Sequence, residues 1–119
     1  MARDKVRIVV VDDDEIIRTL LVDMLEPLTK AVSSFESASH AWNHIKNNRT
    51  DIIISDVNMQ GMGGLKLLKN AKGELGHVKC IIMSGDPNNE KLAYELRADA
   101  FMRKPFLQGD LFGTLDRLL

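Results

Sequence analysis

Cysteine is nearly absent from this chain, because Cys80 is the only one among its 119 residues, and no internal disulfide can form. Small scaffolds that depend on disulfides are thereby excluded, and a lone thiol in an apolar run suits a reducing compartment. Long hydrophobic runs are absent too, since no apolar stretch approaches the roughly 20 residues that a membrane-spanning helix needs. The first residues, 1–5, lack the apolar region of a secretory signal peptide. We therefore expect a cytoplasmic protein that makes no contact with a membrane.

An excess of charge of either sign is also missing. Lysine and arginine number 16 against 17 aspartates and glutamates, which gives a net charge of -1. A positively charged surface for nucleic acid is therefore not predicted, and a DNA-related role would require another domain or protein. The chain does have 45% hydrophobic residues, enough for a buried core, and its length suits one domain over residues 1–119.

Apolar runs typical of strands alternate with helical patterns along the whole chain. Strands are predicted at 6–11, 30–34, 51–55, 80–83 and 100–103. Helices are predicted at 15–26, 65–71, 88–98 and 108–119, and a further helix begins after its predicted cap, Ser37. The helix at 88–98 follows a predicted Asp86-Pro87 cap. Five such units predict an α/β fold, a doubly wound five-stranded parallel sheet with helices on both faces.

Polar side chains stand where four of these apolar runs stop. Asp12 and Asp13 follow the first run, Asp56 the third, Ser84 the fourth and Lys104 the fifth. The carboxyl ends of parallel strands share one edge of the sheet, and ligands bind just outside that edge. We therefore expect three carboxylates, a hydroxyl and an ammonium to meet in one cleft, as a site for a divalent cation and a phosphoryl group.

The chemistry of these groups narrows the prediction. Three adjacent carboxylates repel one another unless a cation lies between them, and the simplest hard cation for oxygen ligands is Mg²⁺. A carboxylate oxygen can then attack phosphorus and form an acyl phosphate. Lys104 would supply positive charge to the phosphoryl oxygens, and the Ser84 hydroxyl and Gly85 N–H are suitable hydrogen-bond donors.

Four motifs together resemble the receiver domain of two-component response regulators, a CheY-like, flavodoxin-like (βα)5 fold. They are the segments 9–14 (VVVDDD), 53–59 (IISDVNM), 82–85 (IMSG) and 104–106 (KPF). The resemblance implies that Asp56 is the phosphoacceptor and that Asp12, Asp13, Asp56 and the backbone carbonyl of Asn58 hold Mg²⁺. It also implies that Lys104 pairs with the phosphoryl group.

The same resemblance assigns roles to residues around this centre. Ser84 would bind phosphoryl oxygens and act with Phe101 as the conformational switch, and the bond from Lys104 to Pro105 would be cis. Asn58 and Asp86 are the residues at which we expect control of the dephosphorylation rate. The sequence departs from the usual pattern at Gln60, where proline is common, at Gly63, where aspartate often caps the third helix, and at Phe101, which lacks a tyrosine hydroxyl.

The resemblance further implies the partners of the chain. A sensor histidine kinase or a phosphotransfer protein would donate the phosphoryl group, and a downstream effector domain or protein would read the result. The readout surface would be the fourth helix, fifth strand and fifth helix, and a homodimer through the fourth and fifth helices is compatible with it. Such a domain is not an enzyme in the ordinary sense, although it assists its own phosphorylation and dephosphorylation.

Two alternatives stay open at this point. The first is a receiver-like interaction module that binds partners without phosphorylation. The sequence argues against it, because every chemical group that phosphorylation requires is present. The second is a haloacid-dehalogenase-type phosphatase that uses Asp12 and Asp14, although it leaves Asp56 without a role. A basic stripe on the third helix (Lys66, Lys69 and Lys72) is interpreted as a solvated face.

Overall fold

The computed structural model describes residues 5–59 and 61–119, and Gln60 lies outside them. Strands and helices alternate through the described chain, as the sequence predicts. The strands are β1 (Ile8–Val11), β2 (Val32–Phe35), β3 (Ile52–Asp56), β4 (Lys79–Ser84) and β5 (Ala100–Arg103). The helices are α1 (Glu15–Leu25), α2 (Ala38–Asn47), α3 (Gly64–Glu74), α4 (Asn89–Glu95) and α5 (Gln108–Leu118).

The five strands form one parallel sheet in the order β2-β1-β3-β4-β5. This is the flavodoxin-like order, so the predicted doubly wound fold is confirmed. The order reverses between β1 and β3, which leaves a crevice at their carboxyl ends. Val11 pairs with Ser55 in the register of these two strands, so the residues that follow, Asp12 and Asp56, emerge side by side.

Hydrophobic residues on alternate positions of the strands divide the core into two layers. One layer, which includes Val9, Ile53 and Cys80, packs against α2, α3 and α4. The other includes Val10 and Ile54 and packs against α1 and α5. The central strands are buried on both faces, which explains why they read as continuous apolar runs. Burial raises the pKa of the Cys80 thiol to about 12, so this cysteine is an inert core residue.

The boundaries of several elements differ from the prediction. β1 begins at Ile8 rather than at residue 6, although Val6 is buried. β2 begins at Val32, two residues later than predicted. α3 continues to Glu74, three residues beyond its predicted end, and Leu75 after it packs against the core. No helix among residues 5–59 and 61–119 is long and apolar enough to cross a membrane.

The prediction for α4 is wrong at both ends. Asp86 and Pro87 lie in a turn, where the Asp86 carboxylate accepts a hydrogen bond from the Asn88 N–H, and the helix starts at Asn89. It ends early because Arg97 adopts a left-handed conformation, with φ of 71°. Such a residue terminates a helix, and glycine is its usual occupant. α4 is therefore a short helix of 7 residues.

Candidate functional site

The predicted carboxylates meet at the carboxyl edge of the sheet. Asp12 and Asp13 follow β1, and Asp56 is the last residue of β3. Each offers an oxygen atom, and these three oxygens all lie within 4.8 Å of one another. Asp12 is 1% exposed and Asp56 9%, whereas Asp13 is exposed. The cleft thus has two buried carboxylates at its floor and one at its rim.

Lys104 reaches into the same cleft from the end of β5. Its Nζ lies 2.8 Å from Asp12 Oδ2 and 3.1 Å from Asp56 Oδ1, so it bridges two carboxylates. Its backbone N–H donates to the carbonyl of Ser84 at 2.9 Å, and the Lys104-Pro105 bond is cis. β5 thereby delivers an ammonium to acids that come from two other strands.

Asp12 is fixed by neighbours at the start of α1. Its Oδ1 accepts a hydrogen bond from the Asp14 N–H at 2.9 Å, and its carbonyl accepts one from the Arg18 guanidinium at 2.9 Å. The Asp14 carboxylate faces elsewhere, since it caps α1 by accepting from the N–H groups of Ile16 and Ile17. Sequence reasoning did not find Arg18, because nothing in its spacing marks a backbone contact.

Asp56 is positioned by a close backbone approach. A Cβ at Gly64 would lie 1.9 Å from the Asp56 carbonyl oxygen, so glycine alone allows α3 to start against the end of β3. The Ser55 hydroxyl donates to that same carbonyl at 2.9 Å. Gly63 is the N-cap of α3, where it has no side chain to cap the helix. The sequence alone does not reveal the contact that requires Gly64.

Charge in this cleft is unbalanced. Three carboxylates face one ammonium, which leaves a formal charge of -3 + 1 = -2 among these side chains. Burial raises the pKa of Asp56 above its usual value, although the hydrogen bond and the charge of Lys104 oppose that rise. Burial alone would lower the pKa of Lys104, but its hydrogen bonds with Asp12 and Asp56 outweigh burial and raise it. Lys104 is therefore firmly cationic.

The cluster fits a hard divalent cation. Octahedral Mg²⁺ at about 2.1 Å from its ligands places neighbouring oxygens about 3.0 Å apart and opposite ones about 4.2 Å apart. The three carboxylate oxygens lie within 4.8 Å of one another, which is close to that spacing. A doubly charged cation would also neutralise the formal charge of -2.

The remaining predicted residues lie around this cluster. Ser84 ends β4, and its Oγ accepts hydrogen bonds from the Asp86 N–H at 3.0 Å and from Asn89 Nδ2 at 2.8 Å. Gly85 and Asn58 are exposed in the loops after β4 and β3. Phe101 is half-buried on β5, opposite Ile82 of β4. The structure thus brings the acids and Lys104 into contact, while the Ser84 hydroxyl bonds towards α4.

The chain matches the response regulator receiver domain family over residues 8–116. The DNA-binding transcriptional regulator NtrC of Escherichia coli (strain K12) is 33% identical over 112 residues, which are 92% of this chain and 24% of NtrC. The chemotaxis response regulator CheY4 of Vibrio cholerae has a similar structure, with a TM-score of 0.88 at 25% identity over 96% of this chain and 98% of that chain.

Other matches are longer proteins. NtrX from Brucella abortus, whose crystal structure holds ATP, has a TM-score of 0.88 at 28% identity over 100% of this chain and 27% of that chain. The chain spans between 18% and 24% of the length of the first curated relatives that it matches. The similarity therefore concerns one domain of those proteins.

Proposed function

The chain belongs to the response regulator receiver domain family, and we propose that it is a phosphorylation-dependent signalling switch whose phosphoacceptor is Asp56. The observation that carries this proposal is the bridge of Lys104 between Asp12 and Asp56 beside Asp13. This arrangement combines a buried carboxylate, a charge deficit and a cationic side chain in one open cleft. A buried ion pair with balanced charge would gain little from a ligand, whereas the net negative charge of this cluster favours a bound cation.

In the proposed reaction, a carboxylate oxygen of Asp56 attacks the phosphorus of a phosphohistidine on a sensor kinase or phosphotransfer protein. The O–P bond forms as the N–P bond breaks, and the electron pair stays on the departing imidazole, which takes up a proton. Asp12, Asp13, Asp56 and the backbone carbonyl of Asn58 would hold Mg²⁺. When bound, this cation neutralises charge on the transferring phosphoryl group.

Three further groups would receive the phosphoryl oxygens. Lys104 already lies 3.1 Å from Asp56 Oδ1, so its ammonium needs little movement to pair with a phosphoryl oxygen. The Ser84 hydroxyl and the Gly85 N–H lie at the end of the neighbouring strand β4 and would donate hydrogen bonds. Asn58 and Asp86 are exposed in the two loops beside Asp56 and would control the access of water to the acyl phosphate.

The conformational response would pass from Ser84 to Phe101. A dianionic phosphoryl group on Asp56 attracts the Ser84 hydroxyl, the loop before α4 shifts, and Phe101 moves inward on β5. The surface formed by α4, β5 and α5 would then change its affinity for a downstream effector domain or protein, or for a second copy of this domain. We place this signalling in the cytoplasm and expect no direct contact with nucleic acid or membrane.

The proposal is tested by the intact mass of the protein after incubation with acetyl phosphate, with Mg²⁺ or with EDTA. We expect one phosphoryl adduct that requires Mg²⁺ and is abolished in Asp56→Asn. Asp14→Asn is the matched control, because asparagine retains the cap of α1 and the residue lies outside the carboxylate cluster. An adduct that persists in Asp56→Asn would refute the assignment.

The two alternatives predict different results. A module that binds partners without phosphorylation would form no adduct, even with Mg²⁺ and a small phosphodonor. A phosphatase would turn over a small phosphate ester in Asp56→Asn but not in Asp12→Asn. The capping role of the Asp14 carboxylate disfavours the phosphatase, since that reaction would need Asp14 directed into the cleft.

A further inference from the structure

Asn89 contacts the predicted switch hydroxyl directly. Its Nδ2 lies 2.8 Å from Ser84 Oγ, the shorter of the two hydrogen bonds that this oxygen accepts among the described residues. Asn89 is the first residue of α4 and is half-buried. The other donor is the backbone N–H of Asp86, in the loop between Ser84 and that helix. Both donors therefore lie on the α4 side of the hydroxyl.

A serine hydroxyl has one proton to donate and two lone pairs with which to accept. Both lone pairs of Ser84 are used by the two donors, so the position of the oxygen is fixed by α4 and its loop. Movement of Ser84 towards a phosphoryl group on Asp56 would lengthen at least the bond to Asn89, because that side chain is carried by the helix. Moving the Ser84 hydroxyl out of its resting position therefore costs free energy.

We propose that Asn89 is a positioning residue that holds the Ser84 hydroxyl in its resting place and so sets how readily this domain accepts a phosphoryl group. The inference rests on the proposed function, because it concerns the same reaction at Asp56. Release of Ser84 exchanges the Asn89 hydrogen bond for one with the phosphoryl oxygen. When only a fraction of a protein is in the binding-competent state, its apparent affinity for the ligand falls by that fraction. Removal of the Asn89 hydrogen bond should therefore raise the affinity for a phosphoryl mimic.

The test is Asn89→Ala, with beryllofluoride as a phosphoryl mimic and amide NMR shifts as the readout of occupancy. Loss of one neutral hydrogen bond predicts that about fivefold less beryllofluoride is needed for half-saturation. The initial rate of adduct formation from acetyl phosphate, measured by intact mass, should rise by a similar factor. Asn88→Ala is the matched control, because Asn88 is exposed and its side chain makes no capping bond. It should leave both quantities unchanged.

A second pair of variants shows whether Asn89 acts through Ser84. In a Ser84→Ala background no hydroxyl is left to hold, so Asn89→Ala should have no further effect on half-saturation. Asn89→Asp keeps a side chain of the same size that can accept the Ser84 proton but cannot donate to its oxygen. That variant should hold the hydroxyl through a charge-assisted bond and give no increase in the rate.

The outcomes separate this inference from the proposed function. If the wild type forms no adduct and does not respond to beryllofluoride with Mg²⁺, the proposed function fails. If the wild type responds but Asn89→Ala is unchanged or weaker, the holding role of Asn89 is overturned while the function stands. An equal gain in the Ser84→Ala background would also overturn it, because the effect would then come from α4 and not from the hydroxyl.

Discussion

The two ends of the sheet each carry a lysine–aspartate pair, and the structural pair at the amino end differs in charge balance from the candidate site at the carboxyl end. At the amino end, Lys72 Nζ lies 2.6 Å from Asp99 Oδ2 and donates to the Val78 carbonyl at 2.9 Å. The same Asp99 oxygen accepts the Cys80 N–H at 2.7 Å. One positive charge meets one negative charge, and the remaining bonds go to backbone groups. This pair joins α3 to the starts of β4 and β5, and its charges balance without a ligand.

At the carboxyl end, Lys104 meets two carboxylates while a third stands beside them. The Asp12 side chain is almost fully buried, so its charge is poorly solvated. Because the charges at this end do not balance, a bound cation would stabilise it, whereas the balanced pair at the other end would gain nothing from one. A difference in charge balance, rather than in the strength of either contact, distinguishes the candidate site from a structural ion pair.

The largest effect on folding is expected at the amino end. Asp99→Ala leaves the half-buried Lys72 ammonium without its partner and the buried Cys80 N–H without an acceptor. We expect a loss of about 2–4 kcal/mol in the free energy of unfolding, measured by urea denaturation. Phosphorylation of the folded fraction should persist, because Asp99 lies at the opposite edge from Asp56.

Asp51→Ala is the matched control at the same edge. The Asp51 carboxylate accepts a hydrogen bond from the backbone N–H of the exposed residue Arg7. Its Oδ1 lies 3.5 Å from Nε of Arg49, whose side chain is 60% exposed. Its removal should cost less than about 1 kcal/mol, because solvent screens such a pair. Equal losses from Asp99→Ala and Asp51→Ala would contradict the structural role given to the Lys72–Asp99 pair.

A smaller effect is expected from Mg²⁺ at the carboxyl end. A ligand that binds only the folded state at ten times its Kd adds about 1.4 kcal/mol to the free energy of unfolding. Asp13→Ala should remove most of this gain, since it deletes one of the three carboxylates. Asp51→Ala should keep it. Stabilisation by Mg²⁺ that survives Asp13→Ala would place the cation elsewhere.

The smallest effect is a gain in stability from Asp56→Asn. Burial raises the folded-state pKa of Asp56 above its unfolded value, so protonation favours the folded state and ionisation costs stability once the pH rises through that pKa. The neutral amide avoids this cost. The Tm of Asp56→Asn should therefore exceed that of the wild type in neutral buffer without Mg²⁺, and the difference should shrink in acid. Asp14→Asn should not reproduce this pattern.

The sequence predicted that the acids and Lys104 would meet, because each directly ends or follows an apolar run and parallel strands bring such positions to one edge, and the structure does bring them together. The same reasoning failed for Lys72, which was interpreted as part of a solvated basic stripe. Its partner Asp99 lies 27 positions away along the chain, so no periodicity within α3 reveals the pair. The early end of α4 was missed for a related reason, since the left-handed Arg97 is not marked by a glycine.

By itself, then, the sequence determined the order of elements, the doubly wound sheet and the group of polar residues at its carboxyl edge. These depend on apolar periodicity and chain direction, which are local properties. Tertiary structure alone decided that Gly64 must approach the Asp56 carbonyl, that Arg18 holds Asp12 and that Asn89 holds the Ser84 hydroxyl. Such contacts depend on distances between atoms of separate elements, and these distances are set only when the helices pack against the sheet.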